Sequence, residues 1–403
     1  MEKIILNDNG KFLQNLKVIH VEHCSHSYFV SDNRHPDEVV KGSWGTQVTT
    51  QLKKFYPKIE VECWFPEKTE THEREFEFKN IKARIFPTTF SPRYGLDFSL
   101  PMLLALKEEV EKCWKDGKNI IIHIHEIHNL HGLTIATFFK NQKLICQHHG
   151  GSWPLKHLKQ TSKYRWFFPL FWIGQVWENR VLKNIQYYFA LTPEEIEYLK
   201  KKTNSKIKFQ TMGIEDDYFK KVGKNAARRK LGFPLDKKIL LYIGRINEEK
   251  GIGYLLDAMK SMKNIELKII GYLQDVEKFK NYAFENNLKN VEFLGGVFGK
   301  RKILYLNASD GLILPSSKEG APVTIMESLA CGTPIIATDV GGVPLMVENN
   351  REGIVIKQKN SEEIIKGVKK LFSKKWNVRR HGKKYKWKGI IDDTVKIYEE
   401  MMK

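Results

Sequence analysis

The sequence predicts an α/β protein made of two doubly wound parallel sheets. Three observations carry this expectation. Short β-rich apolar runs alternate with longer helix-patterned segments along the whole chain, the sequence form of βα units that feed a parallel sheet. The length of 403 residues corresponds to about two to three domains at roughly 150 residues each, each able to bury its own core. A polar stretch with breakers, Gly213 to Lys237, divides the runs into two sets and suits a domain junction.

In the first half the strand-like runs are Lys17 to His23, Val61 to Phe65, Lys82 to Phe86, Asn119 to His125, Lys143 to His149, Tyr187 to Leu191 and Ile207 to Thr211. In the second half they are Lys238 to Gly244, Glu266 to Gly271, Val291 to Leu294, Gly311 to Pro315, Pro334 to Thr338 and Gly353 to Ile356. The junction contains Lys220-Lys221-Val222-Gly223-Lys224 and Gly232-Phe233-Pro234, which places the boundary near residue 225. The expected domains are 1–225 and 226–380, followed by a C-terminal segment, 381–403. No repeat of fixed period interrupts this plan. In doubly wound domains the ligand site lies in the crevice at the carboxyl ends of the strands.

Composition narrows the function. With 41% hydrophobic and 12% aromatic residues, the chain has enough apolar material to order itself, so global disorder is excluded. Lys and Arg number 67 against 47 Asp and Glu, a formal charge of +20, which favours an anionic partner such as a phosphorylated small molecule, an acidic lipid surface or nucleic acid. Cys24, Cys63, Cys113, Cys146 and Cys331 are odd in number and lack C-x-x-C spacing. That argues against a disulfide framework or a cysteine zinc site and for free thiols in a reducing cytosol. The N-terminus lacks the charged and apolar regions of a signal peptide, and no apolar run approaches the roughly 20 residues of a membrane span. A cytoplasmic location is the expectation.

Two motifs carry chemistry. Gly244-Arg245-Ile246-Asn247-Glu248-Glu249-Lys250-Gly251 follows the apolar run Ile239 to Ile243 and precedes a helix-patterned segment. Glycine at a strand exit admits a ligand to the backbone, Arg245 can fork onto phosphate oxygens, and Lys250 adds a point charge. The second motif is Glu319-Gly320-Ala321-Pro322-Val323-Thr324-Ile325-Met326-Glu327, with Gly332 and Pro334 beyond it. Pro322 fits a first helical position, so Glu319 falls on the entry loop and Glu327 in the second turn. A helix N-terminus attracts anions, whereas flanking carboxylates suit sugar hydroxyls.

Together these residues resemble the GT-B retaining glycosyltransferases of the large family (family 4-like, group 1) that includes sucrose synthases and phosphatidylinositol mannosyltransferases. The family pattern is G-R-x-x-x-x-K-G, then E-x(7)-E, then G-G-x-P. Here the order is Arg245 and Lys250, Glu319 and Glu327, then Gly341-Gly342-Val343-Pro344. Residues 238–356 match closely and the first domain matches in outline. The resemblance implies two Rossmann-like domains facing a cleft, the first binding the acceptor and the second the nucleotide sugar, with a C-terminal helix that returns to the first domain.

It further implies that Arg245 and Lys250 hold the diphosphate, Glu327 the ribose and Glu319 the transferred sugar, with Gly244, Gly320, Ala321, Pro322 and Val323 lining the donor site. Gly42-Ser43-Trp44-Gly45 resembles the glycine loop that faces the donor, through Gly42 and Gly45. His149, followed by Gly150, resembles the histidine that meets the sugar, with His148 as the alternative. Catalysis then rests on His149, Arg245, Lys250 and Glu319. There are three departures. Leu345 stands where members often carry Glu, so one donor contact is absent or comes from Glu348. Met212-Gly213-Ile214-Glu215 keeps the Gly of an N-G-x-D turn but loses its Asn. Pro322 lacks an N–H, which reduces the amides offered to the donor.

The implied activity is transfer of a sugar from a UDP- or GDP-linked donor to a lipid-linked or glycan acceptor, with retention and without a metal or other cofactor. An epimerase or phosphorylase on the same plan is the alternative, and nucleic-acid binding by charge alone lacks a recognisable module. His123-x-His125-x-x-His128-x-x-His131 invites a metal, but only Glu126 stands near it as a carboxylate, so the expectation is histidines lining the cleft and no metal. Two stretches point to an anionic membrane surface. Tyr164 to Trp177 is aromatic-rich, too short to span, and flanked by Lys156, Lys159, Lys163, Arg180 and Lys183. From Ile364 to Ile391 there are eleven Lys or Arg and no Asp or Glu.

Overall fold

A computed structural model describes residues 13–23, 40–91, 96–149, 168–271 and 275–403, with 168–171 described for their backbone. Cys24, Lys156, Lys159, Lys163, Gly150 and the first part of the aromatic segment lie outside the described residues. The chain divides into two compact units, one of Met1–Ala190, Glu195–Gln210 and Ile391–Lys403, the other of Leu191–Glu194 and Thr211–Ile390.

The first unit contains β1 (Leu16–Val21), α1 (Trp44–Phe55), β2 (Glu60–Glu67), β3 (Arg74–Phe78), β4 (Ile81–Pro87), α2 (Leu100–Lys115), β5 (Asn119–His125), α3 (Leu130–Phe138), β6 (Lys143–Gln147), α4 (Phe168–Val181), β7 (Tyr187–Ala190), α5 (Pro193–Lys202) and β8 (Lys206–Phe209). Its sheet runs β3-β4-β2-β1-β5-β6-β7-β8, parallel except for the β3–β4 pair. Near-continuous apolar strands such as Ile120 to Ile124 suit a parallel sheet covered on both faces. Ile19, Ile122, Leu144 and Tyr188 meet in the core. The buried Lys17 is held between Glu60, Glu62 and Glu109 at 2.9, 2.7 and 2.7 Å. Strand β3 was not anticipated. Its Arg-Glu-Phe-Glu-Phe alternation forms an edge hairpin through Lys79 and Asn80, both at positive φ (49° and 62°), as a two-residue primed turn requires.

The second unit contains α6 (Lys224–Leu231), β9 (Lys238–Ile243), α7 (Ile252–Met259), β10 (Ile265–Ile270), α8 (Val276–Glu285), β11 (Val291–Gly295), α9 (Gly299–Ala308), β12 (Gly311–Leu314), α10 (Val323–Cys331), β13 (Ile335–Thr338), α11 (Val343–Met346), β14 (Gly353–Ile356), α12 (Ser361–Phe372) and α13 (Arg379–Gly382). Its sheet is parallel, in the order β11-β10-β9-β12-β13-β14. The boundary expected near 225 falls instead between Gln210 and Thr211. The intervening polar segment is tied into the second unit: Ile214 N–H donates to the Tyr385 carbonyl at 2.9 Å, and Arg379 donates to the Phe219 carbonyl at 3.2 Å.

The last helix, α14 (Trp387–Met402), contributes Ile391 onward to the first unit. There Asp392 accepts from the Tyr56 hydroxyl, Asp393 pairs with Lys208, and Thr394 accepts from Gln210, at 2.7, 2.8 and 2.8 Å. Residues 381–390 of the expected C-terminal segment stay with the second unit.

Candidate active site

Strand order reverses at β9 in the second unit, where β10 lies on one side and β12 on the other. A crevice at the carboxyl ends of such a pair is where doubly wound sheets bind ligands. Both motifs of the second unit sit there. Tyr242, buried on β9, donates its hydroxyl to the Arg245 carbonyl at 2.6 Å, which folds the strand exit back on itself. A Cβ on Gly244 would lie 2.8 Å from that hydroxyl. Asn247 then accepts from Lys250 N–H at 3.1 Å and closes the short turn. Gly251 adopts φ +70°, and a Cβ there would lie 2.1 Å from the Pro315 carbonyl oxygen, so only glycine lets this turn press on the β12 exit.

That contact brings the two motifs together. Lys250, 9% exposed, pairs with Glu319 Oε1 at 2.8 Å and donates to the Lys318 carbonyl at 3.1 Å. Glu319 also accepts from Ser316 Oγ at 2.6 Å. The Arg245 side chain is 56% exposed, with a long 3.4 Å contact to Glu249. Behind them, Gly342 N–H donates to the Gly320 carbonyl at 2.6 Å. A Cβ on Gly341 would stand 1.9 Å from the Glu319 carbonyl oxygen, so the G-G-x-P turn backs the Glu319–Val323 loop directly.

Pro322 is the N-cap of α10, in extended conformation, and not its first helical residue as expected. No side chain caps this terminus, which leaves the first-turn amides and the positive dipole end available to an anion. Glu327, 5% exposed, faces Lys302 of α9 at 2.5 Å. Its charge, with burial the larger cause, pushes the Tyr218 hydroxyl up. Lys302 and Tyr218 were not foreseen, because their link to Glu327 is tertiary. Leu345 is half-buried in α11, and Glu348 pairs with Arg351 at 2.6 Å.

In the first unit the order reverses at β1, between β2 and β5. Glu22 at the β1 exit accepts from Gly45 N–H at 2.7 Å, and a Cβ on Gly45 would stand 2.5 Å from its Oε1. Ser43 caps α1 and accepts from Thr46 N–H at 3.1 Å. The Gly42–Gly45 loop is therefore already half committed internally by Glu22, a residue the sequence did not single out, while Gly42 is open. Trp44 packs edge-on to His149, ring centroids 4.5 Å apart, so the structure brings the loop and the preferred histidine together.

His149 is half-buried, and its backbone N–H donates to Glu126 Oε2 at 3.2 Å. Glu126, at φ +73°, also accepts from Ile127 N–H at 3.1 Å. Burial pulls its pKa up, but neighbouring imidazoles, His148 and His128 foremost, hold it below the usual carboxylate range. His148 is fully buried against Tyr188 and His128.

The expectation that the histidines line a cleft is corrected. His20, His123 and His125 are fully buried toward the ends of β1 and β5, and His131 is fully buried on α3. Burial takes His20 and His131 down to about 3 and His149 to about 4, and drives His123 and His125 well below the ordinary value. Two sets lie within metal-ligand reach of one another, His20, His123 and His125, and Glu126, His128 and His148. In the first, His123 stacks on His20 at 4.5 Å and on His125 at 4.9 Å, the latter pair only 6° from parallel. His20 Nδ1 and His125 Nε2 face each other at 2.9 Å, so those two nitrogens are taken up by a hydrogen bond between the rings. His128 differs: burial pulls it down, but Glu178 at 3.3 Å raises it to about 9.

Residues 223–388 match the profile of the glycosyl transferases of group 1. The matched stretch lies within the second unit. An uncharacterized glycosyltransferase of Methanocaldococcus jannaschii is 29% identical over 188 residues, which covers 43% of this chain and 48% of that protein. A second uncharacterized glycosyltransferase of that organism is 25% identical over 309 residues, 72% of this chain and 80% of that protein. The chain thus spans about half of the first relative. Among solved structures, the Anabaena protein HepE in complex with UDP aligns over 95% of this chain and 100% of its own, with a TM-score of 0.68 at 14% identity. The chain has the GT-B fold.

Proposed function

We propose that this chain is a group 1 glycosyl transferase that moves a sugar from a nucleoside-diphosphate sugar, UDP- or GDP-linked, to an acceptor with retention of configuration. One observation carries the reading: the Lys250–Glu319 pair at the β9/β12 switch point, beside an uncapped helix N-terminus. A cation and a carboxylate side by side match the two ends of a sugar–phosphate bond, since the ammonium meets phosphate oxygens and the carboxylate accepts from sugar hydroxyls. The neighbour HepE, seen with UDP, supports a nucleotide partner.

As the C1–O bond breaks, charge builds on the diphosphate. Arg245, Lys250 and the α10 amides, already in place, meet it without a metal or other cofactor. Glu327 takes the ribose, exchanging part of its pairing with Lys302 for a ribose hydroxyl. The leaving phosphate helps deprotonate the acceptor on the same face, and His149 steadies the sugar, with no covalent nucleophile. A proton NMR spectrum of the product reads its anomeric configuration: retention supports this route and inversion refutes it.

The acceptor is lipid-linked or a glycan at an anionic membrane surface, where the protein docks peripherally. Among the described residues no helix is long and apolar enough to cross a membrane. Trp172 and Ile173 on α4 are 60% and 58% exposed, whereas Trp177 packs on the core and donates to Thr137 at 2.9 Å. Most cations of the 364–391 run are exposed; Arg379 is not among them, since it donates to Phe219 and Cys331 carbonyls. Sedimentation with anionic vesicles that weakens with salt supports docking; equal recovery with neutral vesicles refutes it.

A further inference from the structure

Two buried imidazoles, His20 and His125, have no part in the transfer described above, yet they lead directly to His149. Nδ1 of His20 lies 2.9 Å from Nε2 of His125, and Nδ1 of His125 lies 2.7 Å from Nε2 of His149. Each contact consumes one N–H and one lone pair. A neutral imidazole carries a single N–H, so three neutral rings satisfy both bonds in only two ways. Either every ring is protonated on Nδ1 and the chain donates outward to His149, or every ring is protonated on Nε2 and the chain donates inward to His20.

The two ends decide between them. His20 Nε2 and His149 Nδ1 are both buried polar atoms without a hydrogen-bond partner. A buried N–H without an acceptor is costlier to keep than a bare lone pair. The inward arrangement places that N–H on His20, which is fully buried. The outward arrangement places it on His149, whose Nδ1 is equally covered but whose ring is half-buried beside Trp44, at the end of the chain that the proposed function turns toward the sugar. Burial, which holds all three rings in the neutral form near neutral pH, keeps the count of protons at three. His123 braces the chain: it stacks against both His20 and His125 while its Nδ1 is hydrogen-bonded to the Tyr398 hydroxyl at 2.7 Å.

We propose that His20 and His125 are positioning residues that lock His149 in the Nδ1–H tautomer, so that it presents a hydrogen-bond donor to a sugar hydroxyl and has no lone pair free to act as a base. This rests on the reading of His149 as the residue that meets the sugar. It deepens that reading: with Nε2 committed to His125, the acceptor's proton must leave by another route, as front-face displacement through the leaving phosphate already requires.

Long-range proton–nitrogen correlation spectra of uniformly nitrogen-15 labelled protein near neutral pH read each histidine's tautomer, with assignment from single variants. The expected result is His149 protonated on Nδ1. His20→Asn, whose amide can donate from the same side, keeps that tautomer, and His20→Leu converts it to a mixture, with kcat down roughly tenfold, the scale of one misplaced hydrogen bond. A wild-type His149 protonated on Nε2 overturns the proposal even if no variant folds. So does a tautomer unmoved by His20→Leu, or a chelator-resistant divalent cation lost in His123→Leu. The stated tautomer together with undiminished turnover in His149→Ala overturns the sugar-facing reading and leaves the chain itself supported.

Discussion

Acidification unfolds the first unit well before the second. His20, His123, His125, His131 and His149 are all held neutral there by burial, His20 and His131 at about 3, His149 at about 4, and the others well below the ordinary value. In an unfolded chain each titrates near 6.5. Because the folded values are depressed, the stability these groups contribute is present above about 6.5 and is lost as the pH falls toward the folded values, a window from about 6.5 to about 3. Each histidine that takes up a proton only on unfolding costs about 1.4 kcal/mol per pH unit once below that value. Five of them together remove roughly 6 kcal/mol by about pH 5.5, comparable with the whole stability of a typical domain. The second unit has a single histidine, His381. Hydrogen exchange read by mass spectrometry between neutral pH and about pH 4.5 separates the units, with β5 and β6 peptides losing protection while β9 and β12 keep theirs. Full protection of β5 at the acid end, or earlier opening of the second unit, would refute the reasoning.

The His128–Glu178 pair runs the opposite way. Its folded pKa, raised to about 9, gives stability that is complete below about 6.5 and lost as pH rises through about 9; denaturant titrations at both ends differ by about 3 kcal/mol, and His128→Asn abolishes the difference. Replacing Arg245 or Lys250 with Ala lowers turnover by roughly 100-fold, the scale of one lost transition-state donor; near wild-type rates in both variants exclude the clamp. Under the proposed function, in which one carboxylate serves the nucleotide and the other the sugar, Glu327→Ala weakens binding of the free nucleoside diphosphate, whereas Glu319→Ala slows transfer and leaves that binding within about twofold; calorimetry showing equal losses contradicts this division.

What was legible in the sequence was local. Gly244 to Gly251 and Glu319 to Glu327 each lie at a strand exit, and glycine, cation and carboxylate spacing within a few residues reports the turn that holds them. Apolar runs located thirteen strands because parallel strands buried on both faces read as continuous hydrophobic stretches. Strand β3 escaped because an edge strand alternates charged residues with Phe and resembles a solvated segment. Glu22, Lys302 and Tyr218 escaped because each meets its partner across tens of residues, and no local pattern records such a contact. The histidine run showed its strand periodicity, but not its complete burial or the link from His125 to His149. The boundary was misplaced because breakers mark where a chain is polar, not which unit Ile214 and Phe219 pack into.

The central claim is that the second unit holds a nucleoside-diphosphate sugar and that the bond between sugar and diphosphate is broken there. Phosphorus-31 NMR of the 403-residue chain with a panel of UDP-, GDP- and ADP-sugars, plus a membrane extract as acceptor source, tests it most directly. The account predicts that one donor is consumed with the matching free nucleoside diphosphate appearing, and that Lys250→Ala slows this by roughly 100-fold. Intact donors across the whole panel, or cleavage that proceeds unchanged in Lys250→Ala, would contradict it.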